Sequence, residues 1–315
     1  MDATTSRDPH DMADDAVPVG YLVAGANGML GHALRRVLFG QGRTQSAPSE
    51  EAFDITDSEA VLREATRFAA ELDPDQRGVL VNAAAYTNVE GAEDEPQRAY
   101  LVNETGARIL AEAARAAGLG FVHVSTDFVF DGAKDGPYVE TDSPGPLSVY
   151  GASKLAGDRA VAVAYPEALI VRTAWAFGPA GSNFVTKVLD AARIRGSLQV
   201  VDDEIGSPTY TVDLAGGILR LVEAGATGIY HLAGADPAGT AVGPGVSRYD
   251  LALEILSLAG LGDVPVEPVS SGSFPSKAAR PANSVLDCGK AAAFGVTMPP
   301  WPDGLARFIA GTFAG

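Results

Sequence analysis

Three observations predict an α/β chain built on a doubly wound parallel sheet. Short apolar runs alternate with segments of helical spacing from Val17 to Ala174. A glycine-rich turn joins the first run to the first helix, and polar residues cluster where the later runs end. The 315 residues are enough for one large domain of this Rossmann type with a smaller C-terminal lobe beside it.

The elements follow in order. VPVGYLVAG reads as a buried strand and feeds GANGMLG, where Gly25, Gly28 and Gly31 precede the helical spacing of Leu30, Leu34, Val37 and Leu38. Glycines at a strand-to-helix turn permit the tight turn, a close approach of backbone to a diphosphate, and close packing of helix on strand. The spacing G-x-x-G-x-x-G is weak as a bare pattern and gains weight from its place after a strand. Residues 43–48 read as the second strand. No acid stands clearly at its end to accept from a ribose hydroxyl, although Glu50 and Glu51 are near, so the reading leans to NADPH with NADH as the alternative. Asp57 reads as a helix N-cap, with Asp54 and Ile55 just before it able to flank an adenine. Val79 to Val81 form a third strand, ending in Asn82 and in Ala83, Ala84 and Ala85, small side chains against which a flat cofactor can lie.

Pro96 to Ala117 reads as one helix with Asn103 inside its apolar pattern, a residue that needs partners if buried. Gly120 to Thr126 reads as a strand delivering Ser125, Thr126 and Asp127 at the end where ligands gather in parallel sheets. A helix opening at Tyr150 and a strand over Ala168 to Ala174 complete the alternation. Beyond Gly178 the elements shorten, and a lobe that covers the cleft and sets substrate choice is expected there. The expected organisation is a tail at 1–16 and a dinucleotide-binding domain at 17–180 to which 211–234 return. Residues 181–210 and 235–315 mainly form the lobe.

Composition narrows the partners. With 23 Lys and Arg against 40 Asp and Glu, the formal charge of −17 opposes nucleic acid and anionic membranes. An anionic substrate then needs cations placed locally. The single cysteine, Cys288, excludes an internal disulfide and a thiolate metal cluster and fits a reducing cytoplasm. His10, His32, His123 and His231 fall in no metal-ligand spacing, so no metal is expected. The first sixteen residues carry five Asp and no apolar run, which reads as a disordered tail and not as a signal peptide.

The chemistry concentrates between Ser125 and Lys154. Tyr150 and Lys154 are four apart and share one face of a helix. A lysine ammonium beside the phenol is expected to lower its pKa and fit it for proton transfer near neutrality. A lone Y-x-x-x-K is common on helices, so the weight rests on its surroundings.

GANGMLG, VNAAAYTNVEGAE, STDFVFDG, YGASKLAGD, RTAWAFG, SNF, VVDDEIGSPT and ARPANSVLD stand in one order from residue 17 to the C-terminus. Together they resemble the dTDP-4-dehydrorhamnose reductase family of extended short-chain dehydrogenase/reductases. The resemblance implies NAD(P)H-dependent reduction at C4 of a dTDP-4-keto-6-deoxysugar. It assigns Thr126, Tyr150 and Lys154 to the catalytic triad. It assigns Gly25, Asn27, Gly28, Met29, Leu30 and Gly31 to the diphosphate loop, and Asp54, Ile55 and Ala83 to Ala85 to the rest of the cofactor, which Tyr150 and Lys154 also touch. Thr126, Asp127, Phe128, Trp175, Asn183 and Arg280 fall on the substrate side. Phe128 stands where the family usually has tyrosine, and Asp158 where it usually has glutamate. The first leaves the exact sugar open, between a rhamnose pathway and deoxysugar formation for a natural product such as an antibiotic. The resemblance is also compatible with a homodimer and with an idle relative acting as a regulatory subunit, against which the intact triad argues.

Overall fold

The structure, a computed structural model, describes residues 17–313; the expected tail at 1–16 lies outside them. Six parallel strands form the central sheet: β1 (Val19–Ala24), β2 (Gln45–Ser46), β3 (Arg77–Asn82), β4 (Gly120–Thr126), β5 (Leu169–Thr173) and β6 (Gly228–His231), in the order β2-β1-β3-β4-β5-β6. From β1 the chain crosses first to β2 on one side and later to β3 on the other. That reversal opens a crevice at the carboxyl ends of β1 and β3, where a doubly wound sheet receives its ligand.

Both faces of the sheet are covered, so its strands are apolar almost throughout. One face carries α1 (Met29–Gly40) and α6 (Thr211–Glu223), which close over Tyr21, Val23, Val81, Val122 and Val171. The other carries α2 (Ser58–Glu71), α3 (Ala107–Ala116) and α4 (Val149–Ala164), with Leu22, Leu80, Phe121 and Ile170 beneath them. The Asp57 side chain accepts from the amides of Glu59 and Ala60 and caps α2 as its sequence position predicts. A third apolar cluster joins α5 (Phe184–Arg195), α7 (Arg248–Leu258) and α8 (Trp301–Phe313) through Leu189, Leu251, Ile255 and Leu305.

Two expectations need correction. The second strand shortens from 43–48 to Gln45–Ser46 because it pairs only with Tyr21 and Leu22 of β1. The single helix from Pro96 to Ala117 is three pieces: Pro96–Tyr100, a π-helical turn over Leu101–Gly106, and α3. The wider turn carries Asn103, which is buried and fully partnered. Its carboxamide accepts from Tyr86 N at 2.8 Å and donates to Tyr86 O at 3.1 Å and to Ser153 Oγ at 2.9 Å. One asparagine thus ties the segment after β3 to α4, and π-turns recur where such a side chain must be delivered. Among the described residues no helix is long and apolar enough to cross a membrane.

Candidate active site

A cavity of about 690 Å³ opens along the carboxyl ends of β1, β3, β4 and β5. One end is made of backbone. Gly25 has φ +74°, and a Cβ there would lie 2.5 Å from Ala84 N, so the glycine loop and the alanine segment press together as only glycine permits. Gly28 caps α1 without any side-chain hydrogen bond, and the first turn of α1 holds no acid. The α1 amides and their dipole therefore face the cavity and suit a diphosphate. Asn27, Gly28, Met29, Leu30, Asp54, Ile55 and Ala83 to Ala85 all line this half. Gly31 does not: a Cβ there would meet Gly25 O at 2.1 Å, so it lets α1 sit on the turn and belongs to packing, not to the ligand surface. Glu50 borders the same half.

Side chains make the middle of the cavity. Ser148 caps α4 by accepting from Gly151 N at 3.2 Å, which starts the helix one residue before Tyr150. Gly157 then allows α4 to press on the π-turn, since a Cβ would lie 2.2 Å from Asn103 O. This docking brings Tyr150 and Lys154 to the end of β4, where Thr126 emerges, and all three line the cavity. Lys154 is buried and donates to Val124 O at 2.7 Å. Thr126 Oγ1 donates to Asp127 Oδ1 at 2.9 Å and accepts from Phe128 N at 3.2 Å. The Phe128 ring meets Tyr150 edge-on at 5.6 Å.

The electrostatics reverse one expectation. Burial pushes the Tyr150 phenol up to about 12; the Thr126 hydroxyl opposes this, and the carboxylates of Asp127 and Asp158 add to it. Desolvation of the phenolate is the largest effect and sets the direction. Burial also draws Lys154 down to about 8, opposed by Asp158. Asp127 is raised to about 6 by burial, against hydrogen bonding from Ser284 and Thr126 and the charge of Arg248. Near neutrality the site therefore holds a protonated phenol beside a buried ammonium.

The far end faces α5 and α7. Trp175 and Asn183 line it as expected, although Asn183 is also the N-cap of α5, accepting from Thr186 N and donating to Gly178 O. Arg280 lines the cavity and pairs with Glu90 at 2.8 Å, which gives the acidic chain one local cation. A second was not anticipated. Arg248, the first residue of α7, lies 3.4 Å above the Trp175 ring and near Glu204, and it too lines the cavity. Burial lowers it to about 10, and the charge of Arg280 acts in the same direction, so the two guanidinium groups stand close enough to repel. Ser247 marks the start of α7, yet an arginine in a first helical turn reads as surface until Trp175 and Glu204, distant in sequence, are brought beside it.

A family model described as the RmlD substrate binding domain matches residues 20–313. The chain belongs to this family. It is 39% identical to a dTDP-4-dehydrorhamnose reductase of Mycolicibacterium smegmatis over 300 residues, covering 94% of this chain and 86% of that one. It is also 39% identical to a dTDP-4-keto-6-deoxy-D-glucose reductase of Streptomyces niveus, covering 84% and 88%. A dTDP-4-dehydrorhamnose reductase of Bacillus anthracis solved in complex with NADP superposes with a TM-score of 0.84 at 34% identity, over 93% of this chain and 99% of that one. For an RmlD-family member the glycine cradle and the bare amides of α1 fit a dinucleotide diphosphate, and the alanines after β3 fit the flat nicotinamide half.

Proposed function

We propose that this RmlD-family chain is an NADPH-dependent reductase of the C4 ketone of a dTDP-4-keto-6-deoxysugar. The observation that carries the reading is the meeting of Thr126, Tyr150 and Lys154 on the wall of the cavity whose other end is the glycine cradle. NADPH held on the glycine cradle would supply the hydride for the ketone carbon. Tyr150, kept protonated by burial, gives its proton to the oxygen as negative charge develops there. Thr126, fixed by Asp127 and by Phe128 N, orients the tyrosine hydroxyl and the ketone oxygen. Lys154 holds a positive charge on the same helical face as the tyrosinate that forms, and would hold the cofactor ribose. Asp54, Ile55 and Ala83 to Ala85 hold the remainder of the cofactor, and Asp127, Phe128, Trp175 and Asn183 receive the sugar end. Arg248 and Arg280 take the substrate diphosphate, whose charge relieves their mutual repulsion.

The division into a dinucleotide-binding domain at 17–180 with 211–234, and a lobe formed by 181–210 and most of 235–315, is supported by the separate apolar cluster under α5, α7 and α8. Residues 291–298 return to the main core through Ala291, Val296 and Met298.

The reading is tested with NADPH and dTDP-4-keto-6-deoxysugars, following loss of NADPH absorbance and identifying the product. Tyr150→Phe is expected to retain NADPH binding and lose about 10²- to 10⁴-fold in kcat. Turnover near that of the unaltered enzyme would refute the role of Tyr150. Cofactor and nucleotide binding with no turnover on any such sugar would favour a regulatory subunit. Phe128 favours a sugar of specialised metabolism such as antibiotic biosynthesis, and the product's stereochemistry decides between that and rhamnose. The single cysteine fits a cytoplasmic enzyme, and a homodimer is tested by the mass of the species in solution.

A further inference from the structure

A buried polar row crosses the sheet beneath the site and takes no part in the chemistry described above. Asn82 of β3 is in register with His123 of β4, Ser125 of β4 with Arg172 of β5, and Arg172 with His231 of β6. His123 and Ser125 are two apart, so the row lies on one face. Asp158 enters this row from α4. Its Oδ2 accepts from Arg172 Nε at 3.2 Å, and its Oδ1 stands 3.6 Å from His123 Nε2. Asp158, Arg172 and His123 are all buried, and none lines the cavity. Asp158 follows Lys154 by four residues, so the two share a face of α4. Burying an ammonium is unfavourable unless an opposite charge stands by it, and Asp158 is the carboxylate that acts on Lys154.

We infer that Asp158, anchored by Arg172, is a positioning residue for Lys154, keeping its ammonium charged and aimed at the end of β4 without touching substrate or cofactor. The surroundings supply the competing charges. From β4, His123 is held neutral by burial and by Lys154 itself; from β5, Arg172 acts on Asp158 and also on His231 of β6; beyond β4, Asp127 acts on Tyr150. From the elements flanking α4, Glu93 accepts from Val149 N at its start and Arg115 donates to Ala164 O at its end. Arg172 also lies 5.3 Å from the centre of the Phe130 ring, which fixes its guanidinium from behind.

This inference rests on the pairing of Tyr150 with Lys154 proposed above, and its test separates the two. The Lys154 titration is followed by NMR of ¹³C-labelled lysine in the folded protein, beside the pH profile of kcat. Asp158→Asn combined with Arg172→Met removes the carboxylate and its guanidinium partner together, so Lys154 alone among the three keeps a charge and reports the loss. It is expected to move the Lys154 midpoint down by about one pH unit, a tenfold change in the ratio of charged to neutral lysine. Arg172→Met alone, which leaves the carboxylate to Lys154, is expected to move it up. A purely structural role lowers the rate at every pH and moves neither midpoint. An unmoved midpoint in whichever variant folds overturns the inference. A midpoint that moves while the alkaline limb of kcat stays in place keeps the positioning role and removes Lys154 from the chemistry.

Discussion

The two ends of the cavity are built from different materials. The cofactor end is backbone: a left-handed glycine, a helix start with bare amides, and alanines small enough to be approached closely. The substrate end is side chains held by partners far away in sequence, with Arg248 on Trp175 and beside Glu204, and Arg280 on Glu90. A backbone site tolerates almost no added atom, whereas a side-chain site loses its members one at a time. This chain therefore has one end that is rigid by sterics and another that is adjustable by substitution.

Gly25→Val is the harshest way to break the first end. A β-branched residue at φ +74° that also meets the Ala83 and Ala84 backbone is expected to abolish NADPH binding, read by fluorescence titration, and to lower the melting temperature. At the other end, Arg248→Ala is expected to raise KM for the nucleotide sugar about 10- to 100-fold, the loss of a charge-assisted hydrogen bond, with NADPH affinity unchanged. An equal loss of cofactor affinity would erase the distinction between the ends.

A smaller effect tests the seam between them. Asp127 is raised to about 6 by burial, so between its ordinary value and 6 the folded state binds more protons than the unfolded one. Its contribution to stability is thus present at low pH and lost as pH rises through that window, on the order of 3 kcal/mol in all. Asp127→Asn is expected to flatten the pH dependence of the unfolding midpoint between about 4 and 6. An unchanged slope would show that Asp127 is not the group responsible.

The contrast also explains what was legible in the sequence. β1, β4, the Asp57 cap and the glycine turn were readable because each depends on neighbours in the chain. Thr126, Tyr150 and Lys154 were readable because a strand end and one helical turn place them. The π-turn at Asn103 was hidden, since its cause is Tyr86 on one side and Ser153 on the other. Arg248 was hidden for the same reason. The direction of the Tyr150 shift was misjudged because the four-residue spacing reveals the lysine but not the burial, nor the two carboxylates that act against it.

Trp175 carries a consequence of another kind. It holds φ +43°, a left-handed conformation unusual for so bulky a residue, while its indole is clasped between Gly206 and Arg248. Such strain is of order 1–3 kcal/mol. Trp175→Gly is expected to relieve the backbone while removing the wall of the sugar site, leaving melting temperature nearly unchanged and kcat/KM much reduced. The residue would then be kept for the sugar site alone, since selection for heat resistance would gain nothing by retaining it.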